Sequence, residues 1–197
     1  YMMNLRIKIL AFILATVGLG VNAQTTFEEI SADLNKAGGV YLAYPKVEAK
    51  QTPAPKGYKP FYVSHYGRHG SRYLLGDRDY LWIIQLMQKA DSINGLTPLG
   101  KDVLKRLSLV WQEVQGRAGD LTPLGVRQHR GIAERMYKNF PEVFSGKRSV
   151  SARSTVVYRC AMSMAAFGDR LKGLNPQLDI TYEMSHKYMS YLCYHSP

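Results

Sequence analysis

One stretch of the sequence decides the fold, and it reads Phe61-Tyr62-Val63-Ser64-His65-Tyr66-Gly67-Arg68-His69-Gly70-Ser71-Arg72. Its first half is rich in aromatic and β-branched residues and ends at a glycine, which predicts a buried β-strand over 61–66. The second half places one histidine between arginines directly after that strand. Ligands of open α/β sheets bind beyond the carboxyl ends of the strands. The stretch therefore predicts an anion-binding loop at such an edge.

The rest of the chain alternates between helical and strand patterns. Helices are predicted over 78–90, after each of two copies of Leu-Thr-Pro-Leu-Gly (96–100 and 121–125), and from Val157 to Leu171. Short strands are predicted over 149–152 and 178–183. Strands separated by helices indicate an α/β domain with a largely parallel sheet. The repeated pentapeptide indicates shared capping chemistry, because the helices that follow its two copies do not match.

The first 60 residues are predicted to precede this domain, which spans 61–197. Residues 1–23 have a basic start, an apolar run over 9–21 and a small-residue end, which together predict a secretory signal. A membrane anchor is the alternative, but the apolar run is short for a span of about 20 residues. Residues 24–60 hold a helix from Thr26 to Gly38 and a lead-in rich in proline and lysine. We expect a periplasmic or secreted protein with no stable membrane anchor after cleavage.

The formal net charge is +11, and 46% of the residues are hydrophobic. The chain can therefore bury a core, and its charge favours an anionic partner, which leaves open nucleic acid, a membrane surface or a phosphate-rich small molecule. Cys160 and Cys193 form no recognisable metal or redox motif. They could pair in an exported protein, or Cys160 could be a buried free thiol.

Cleavage of a phosphate ester requires a nucleophile, positive donors for the phosphoryl oxygens and an acid for the leaving oxygen. A neutral imidazole is a suitable nucleophile, and arginines bind a phosphate dianion through paired donors. His69 between Arg68 and Arg72 supplies the first two of these requirements. The other histidines are interpreted differently, His65 as structural and His129 as part of a solvated helix face.

Tyr66-Gly67-Arg68-His69-Gly70-Ser71-Arg72-Tyr73 resembles the signature of the histidine acid phosphatases, the phytase-containing branch of the histidine phosphatase superfamily. Two further segments agree in order and spacing: 121–128, and 152–155 followed by Ser163 and Phe167. The resemblance runs from about residue 58 to residue 175. It implies a three-layer α/β/α phosphoglycerate-mutase-like sandwich, incomplete in this chain and without most of its helical cap subdomain.

The resemblance also implies roles for individual residues. His69 would be the nucleophile that becomes phosphorylated, and Arg68, Arg72 and Arg153 would hold the phosphoryl group, with no metal or cofactor. The branch carries its proton donor in a His-Ala-Glu or His-Asp pair, which we expect beyond Pro197. We therefore expect a truncated chain that is weakly active or inactive alone. Leu74 departs from the proline that the branch often has there, which blurs the inference about substrate.

The form of the signature is similar to that of the multiple inositol polyphosphate phosphatases, which implies inositol polyphosphates as substrates. A broader acid phosphatase acting on sugar phosphates or nucleotides is the alternative. A non-catalytic basic module that binds polyanions, or an inert fragment, is the alternative of a different class. No nucleic-acid-binding motif is recognised, so the expected partner is a phosphorylated small molecule. The oligomeric state is left open.

Overall fold

The computed structural model describes residues 26–42 and 52–193, and the chain divides into two compact units, 1–42 and 43–197. In the first unit, helix α1 (Thr26–Ala32) is followed by a 3-10 helix (Leu34–Tyr41). The single helix predicted from Thr26 to Gly38 is therefore wrong in its extent. Asp33 interrupts it, because its extended backbone lets its side chain accept from the amide of Asn35 and cap the second helix.

In the described part of the second unit, irregular chain over 52–77 is followed by four helices that precede the sheet. They are α2 (Arg78–Ser92), α3 (Pro98–Val114), α4 (Pro123–Asn139) and the short α5 (Pro141–Phe144). Both predicted caps are confirmed. The hydroxyl of Thr97 accepts from the amide of Gly100, and the hydroxyl of Thr122 accepts from the amide of Gly125. The prolines occupy the first helical positions, where a missing N–H costs nothing.

The sheet has two strands among the described residues. Strand β1 (Ser149–Ser154) runs parallel to β2 (Asp179–Met184), with Ser149 opposite Asp179 and Ser154 opposite Met184. Helix α6 (Tyr158–Leu174) connects the two strands, and a 3-10 turn (His186–Tyr188) and α7 (Met189–Leu192) follow them. The predicted α/β class and the parallel pairing are confirmed. Of the predicted sandwich, the described residues form this small open sheet and the helices beside it.

The core lies between α4, α5, α6 and β2. It contains Ala133, Phe144, Leu171 and Leu178, which are at most 5% exposed, and partly buried side chains of α4 and both strands pack around them. Asn175, which follows α6, joins that helix to the end of α5, because its side-chain amide donates to the carbonyls of Phe144 and Gly146. The core therefore fixes α6 against α4, and both helices contribute to the site described below.

The buried strand predicted over 61–66 is wrong. All six residues are described, and they form irregular chain outside any strand, with Phe61 92% exposed and Tyr62 73% exposed. β-forming residues make a strand only where another backbone supplies hydrogen-bond partners, and no described segment pairs with this one. Its end is held by side chains instead. The ring of His65 stacks on Phe167, and the hydroxyl of Tyr66 donates to the carbonyl of Leu192.

The predicted signal sequence, residues 1–23, lies outside the described residues. In 26–42 and 52–193, no helix combines the length and the apolar character that a bilayer span requires.

Candidate active site

The loop that follows Tyr66 is held by helix α6, by helix α4 and by Thr122, the residue that caps α4. Its Gly70 amide donates to the hydroxyl of Ser163 on α6 (3.0 Å), and its Ser71 amide donates to the side-chain carbonyl of Gln128 on α4 (2.8 Å). The Ser71 carbonyl accepts from both the amide and the hydroxyl of Thr122, at 2.9 Å and 2.8 Å. These bonds satisfy consecutive backbone groups of the loop and fix its path.

The chain after Ser71 is fixed in a similar way. Arg72 forms an antiparallel bridge with Leu121, and the amide of Tyr73 donates to the carbonyl of Asp120 at 3.0 Å. The phenol of Tyr73 donates to Glu113 on α3. The backbone that carries the Arg72 side chain is therefore fixed by pairing with residues 120–121.

Gly70 is needed because two backbones meet there. A Cβ atom on Gly70 would lie 2.6 Å from the carbonyl oxygen of Gly125 and 2.7 Å from its Cα. Real Cβ atoms do not approach backbone atoms so closely, so any side chain would push the loop off the start of α4. Gly70 therefore allows the loop backbone to pass tightly against α4.

The imidazole of His69 has a defined tautomer. Its Nδ1 lies 2.8 Å from the carbonyl oxygen of Gly70. A carbonyl oxygen only accepts, so this bond requires the proton on Nδ1. The lone pair of the neutral ring is then on Nε2. A free imidazole nitrogen with its proton on the opposite nitrogen is the form that attacks an electrophile.

The surroundings of His69 keep its ring neutral. Partial burial is the main cause that lowers its pKa from the ordinary value of 6.5, and the positive charges of Arg159, Arg68 and Arg72 lower it further. The hydrogen bond to Gly70 acts in the opposite direction, because it favours the protonated ring. The net shift is downward, so the Nε2 lone pair persists into mildly acidic solution.

Arg159, which the sequence-based prediction missed, lies among the charges that act on His69. It occupies the first turn of α6, four residues before Ser163, which bonds the His69 loop. Residues four apart share a helix face, and this spacing is the signal that could have identified Arg159. The Nε atoms of Arg159 and Arg72 are both buried without a hydrogen-bond partner among the described residues. Neither Nε is therefore committed to another described group, whereas Nη1 of Arg72 donates to the carbonyl of Tyr73.

Arg153, the third predicted phosphate ligand, has other partners. It lies at the end of β1, and its Nε donates to Glu183 at 2.8 Å, its neighbour across the sheet. Its guanidinium lies over the ring of Tyr188, 5.1 Å from the centroid, and the Tyr188 hydroxyl donates to the same carboxylate. The structure thus brings Arg68 and Arg72 together with His69 and places Arg153 in an ion pair. A phosphate-binding role for Arg153 stays a prediction.

The interpretation of His129 as a solvated residue is wrong, because its side chain is only 6% exposed. It lies on the buried face of α4, beside the backbone of Arg68, and is close enough to His65 and His69 for their charges to lower its pKa. Burial is the main cause that lowers its pKa. His65, interpreted as structural, stacks on Phe167 with nearly parallel rings 5.3 Å apart. In the part of the chain that the structure describes, these histidines and the acidic and cysteine residues form no cluster that could hold a metal ion.

Three solved structures of Bifidobacterium longum multiple inositol polyphosphate phosphatase are similar to this chain, each at 26% identity. The TM-score is 0.51 for the complex with inositol hexasulfate and 0.52 for both the apo form and the phosphate complex. The similarity covers 70%, 65% and 70% of this chain, respectively. This chain carries part of an α/β phosphatase fold. It spans 29%, 26% and 28% of the lengths of those chains. No protein-family profile matches it, and no curated protein sequence matches it.

Proposed function

We propose that this chain carries the nucleophile of a phosphomonoesterase and that His69 accepts the phosphoryl group. One observation carries the proposal: His69 has its Nδ1 proton bound to Gly70 and three arginines, Arg68, Arg72 and Arg159, close enough to act on its charge. A nucleophile with a free lone pair amid donors for phosphoryl oxygens is what phosphoryl transfer needs. The similarity to phosphatases supports the same activity.

In the proposed step, Nε2 of His69 attacks phosphorus as the bond from phosphorus to the leaving oxygen breaks. The electron pair of that bond goes to the leaving oxygen, which must take up a proton unless it is a stable anion. Water then hydrolyses the phosphohistidine and restores the imidazole. The arginines hold the three non-bridging oxygens throughout. None of the described residues is assigned as the proton donor, and we retain the proposal that residues 24–197 alone turn over alkyl phosphates weakly or not at all.

We propose inositol polyphosphates as the substrate class. The net charge of +11 favours a highly anionic ligand, and a similar solved structure holds inositol hexasulfate, a polyanion. Sugar phosphates and nucleotides carry fewer charges and are the second choice. Calorimetry can separate these classes, because inositol hexasulfate should bind more tightly than glucose 6-phosphate at the same ionic strength. Equal affinities would favour the broader phosphatase.

The nucleophile is tested with 2,4-dinitrophenyl phosphate, whose phenolate leaves without needing an acid. The wild-type chain should acquire one phosphoryl group on His69, detected by mass spectrometry of alkaline digests. His69→Ala should acquire none. His186→Ala is the matched control, because this exposed histidine lies after β2 and should not change the labelling. Labelling of the His69→Ala chain equal to that of wild type would exclude the proposed nucleophile.

The alternative of a non-catalytic polyanion-binding module predicts a different result. The chain would bind single-stranded DNA with a steep dependence on salt, and changes at His69, Arg72 or Arg159 would not matter more than changes at other arginines. No phosphohistidine would form in that case. Filter binding at several salt concentrations, run beside the labelling experiment, distinguishes the two functions.

We also propose that residues 1–23 direct export to the periplasm or the extracellular medium. The support is the succession of basic, apolar and small residues in that segment. N-terminal sequencing of the exported protein should begin at Gln24. An uncleaved N-terminus in the membrane fraction would favour an anchor instead.

A further inference from the structure

We propose that Gln128 and His129, adjacent on helix α4, form a clamp on the backbone of the His69 loop and that His129 is a positioning residue for the nucleophile. The inference rests on the proposed function of His69. It assigns a role to two side chains that contact neither phosphate nor leaving group. Both side chains face backbone atoms of the loop. The residues they face, Arg68 and Ser71, lie on either side of His69 and Gly70 in the sequence.

The two contacts bracket His69. On one side, the ring of His129 is buried beside the backbone of Arg68, close enough for that backbone to favour the protonated ring. On the other side, the side-chain carbonyl of Gln128 accepts from the amide of Ser71 at 2.8 Å. The nucleophile and Gly70 are therefore the only residues between two anchored points. Only the backbone torsions of these two residues can then move the His69 side chain relative to both anchors.

A third residue on the same face of α4 packs against the loop at Gly70. Gly125 precedes Gln128 by three residues and His129 by four, so all three lie on one face of α4. The backbone of Gly125 lies directly against Gly70, where an added Cβ would come within 2.6 Å. One face of α4 thus makes polar contacts with the loop at Arg68 and Ser71 and a steric contact with it at Gly70. The loop can move neither away from α4 nor toward it.

The burial of His129 gives its contact its rigidity. His129 is only 6% exposed, so water cannot easily enter between its ring and the backbone of Arg68. The helix that carries it is fixed by the core through Ala133, which is fully buried one turn later. The hydrophobic core therefore fixes the position of the loop through α4. An imidazole serves here because it combines an apolar ring with an N–H donor.

The clamp has a consequence for the reaction. In-line attack requires the nucleophilic nitrogen to be held close to phosphorus and aligned with the leaving group, and a shift of about 1 Å can cost about 100-fold in rate. Loss of the His129 contact should therefore slow phosphorylation of His69 more than it weakens binding of phosphate. A residue that only fills space would not show this separation.

The experiment compares His129→Leu, which keeps the apolar bulk, with His129→Asn and His129→Gln, which each keep an N–H donor at one of the two ring-nitrogen positions. Arg130→Gln is the control, because Arg130 is the next residue of α4 and is exposed. The readouts are the rate of His69 phosphorylation by 2,4-dinitrophenyl phosphate and the dissociation constant for inorganic phosphate. For His129→Leu we expect the rate to fall about 10- to 100-fold while the dissociation constant changes by less than about threefold. One amide variant should recover most of the rate.

Two results would overturn the clamp. In the first, His129→Leu labels His69 at the rate of Arg130→Gln. In the second, all three His129 variants lose rate and phosphate affinity together, which is the behaviour of a packing defect. If the wild-type chain forms no phosphohistidine at all, the proposed function fails, and the clamp is judged by hydrogen exchange alone. Faster exchange of the Ser71 amide in Gln128→Leu and His129→Leu than in Arg130→Gln supports the clamp, and equal exchange rejects it.

Discussion

Three arginines, Arg72, Arg159 and Arg153, differ in whether their Nε donors have a hydrogen-bond partner. The Nε atoms of Arg72 and Arg159 are buried and find no hydrogen-bond partner in the described part of the chain, while Arg153 shares its Nε with a carboxylate at 2.8 Å. A buried donor without a partner costs about 1–3 kcal/mol, and a phosphoryl oxygen would remove that cost. Arg153 would first have to leave Glu183. We therefore expect Arg159 rather than Arg153 to be the third phosphate ligand.

Replacing the two arginines one at a time tests this preference. Arg159→Gln should weaken inorganic phosphate binding by about 10- to 100-fold, because a charge-assisted hydrogen bond contributes about 1.5–3 kcal/mol. Arg153→Gln should weaken it by less than about threefold, because that arginine is half-exposed and paired. Isothermal titration calorimetry measures both values. The reverse order would restore Arg153 to the role that the sequence predicts.

The pH dependence of His69 phosphorylation follows from the direction of its pKa shift. Burial and three arginines lower the pKa below 6.5, so the ring stays neutral, and reactive, as the pH falls through 6.5. The acid limb of the phosphorylation rate should have its midpoint below 6.5. Arg159→Gln removes one positive charge and should move that midpoint upward. A wild-type midpoint at or above 6.5, measured by rapid quench across the pH range, would contradict the assigned environment.

Helices α3 and α4 each start within a copy of Leu-Thr-Pro-Leu-Gly, but the two capping threonines make different hydrogen bonds. Thr97 accepts from the amide of Gly100 at 3.2 Å and so caps α3. Thr122 caps α4 in the same way, at 3.0 Å, but its hydroxyl also donates to the carbonyl of Ser71. A threonine hydroxyl has one proton and two lone pairs, so it can make both bonds at once. The second copy thus joins the start of a helix to the candidate active site.

Alanine at each threonine should separate capping from loop anchoring. Thr97→Ala should lower the free energy of unfolding by about 1 kcal/mol, the usual cost of a lost cap. Thr122→Ala loses the cap and a further hydrogen bond, which predicts a loss of about 2 kcal/mol. It should also slow phosphorylation of His69, while Thr97→Ala should not. Urea unfolding and the labelling rate test these values, and equal losses in both assays would mean that the bond to Ser71 contributes nothing.

Over the whole second unit, apolar side chains are distributed unevenly. The packed core is concentrated where α4, α5 and α6 meet β2, and Leu171 and Leu178 are its most buried large residues. By contrast, α2 and α3 expose several large apolar side chains, Trp82 at 61% among them. Because burial from water is the main source of stability, the stability of the unit should depend on the first region far more than on the second.

Truncation of one residue from each region tests this distribution. Leu178→Ala removes a fully buried side chain and should cost about 2–5 kcal/mol, a large part of the about 5–15 kcal/mol typical of a domain. Trp82→Ala removes a mostly exposed side chain and should change the free energy of unfolding by less than about 1 kcal/mol. Urea denaturation followed by circular dichroism measures both, and comparable losses would show that Trp82 is packed in solution.

Much of this molecule was predictable because its cause is local. Thr-Pro caps, helical periodicity and the strands around 149–154 and 179–184 depend on residues a few positions apart, and the structure has them where the sequence predicts them. The parallel pairing follows from a helix between two strands. The Arg-His-Gly run lies in a loop, as the sequence predicts, and that loop is tightly held.

Three features were decided by tertiary structure. Residues 61–66 have the composition of a strand but lack a backbone partner among the described residues, and a strand needs one. His129 looks solvated between Arg127 and Arg130, yet α4 turns it toward the loop, because the core sets the rotation of the helix. Arg159 reaches the neighbourhood of His69 while Arg153 pairs with Glu183, a choice made by strand register. Sequence alone determined where the capped helices begin and which residue types lie together in the loop, since those depend on neighbouring residues. Packing decided which side chains surround His69, since that depends on contacts between residues far apart in the chain.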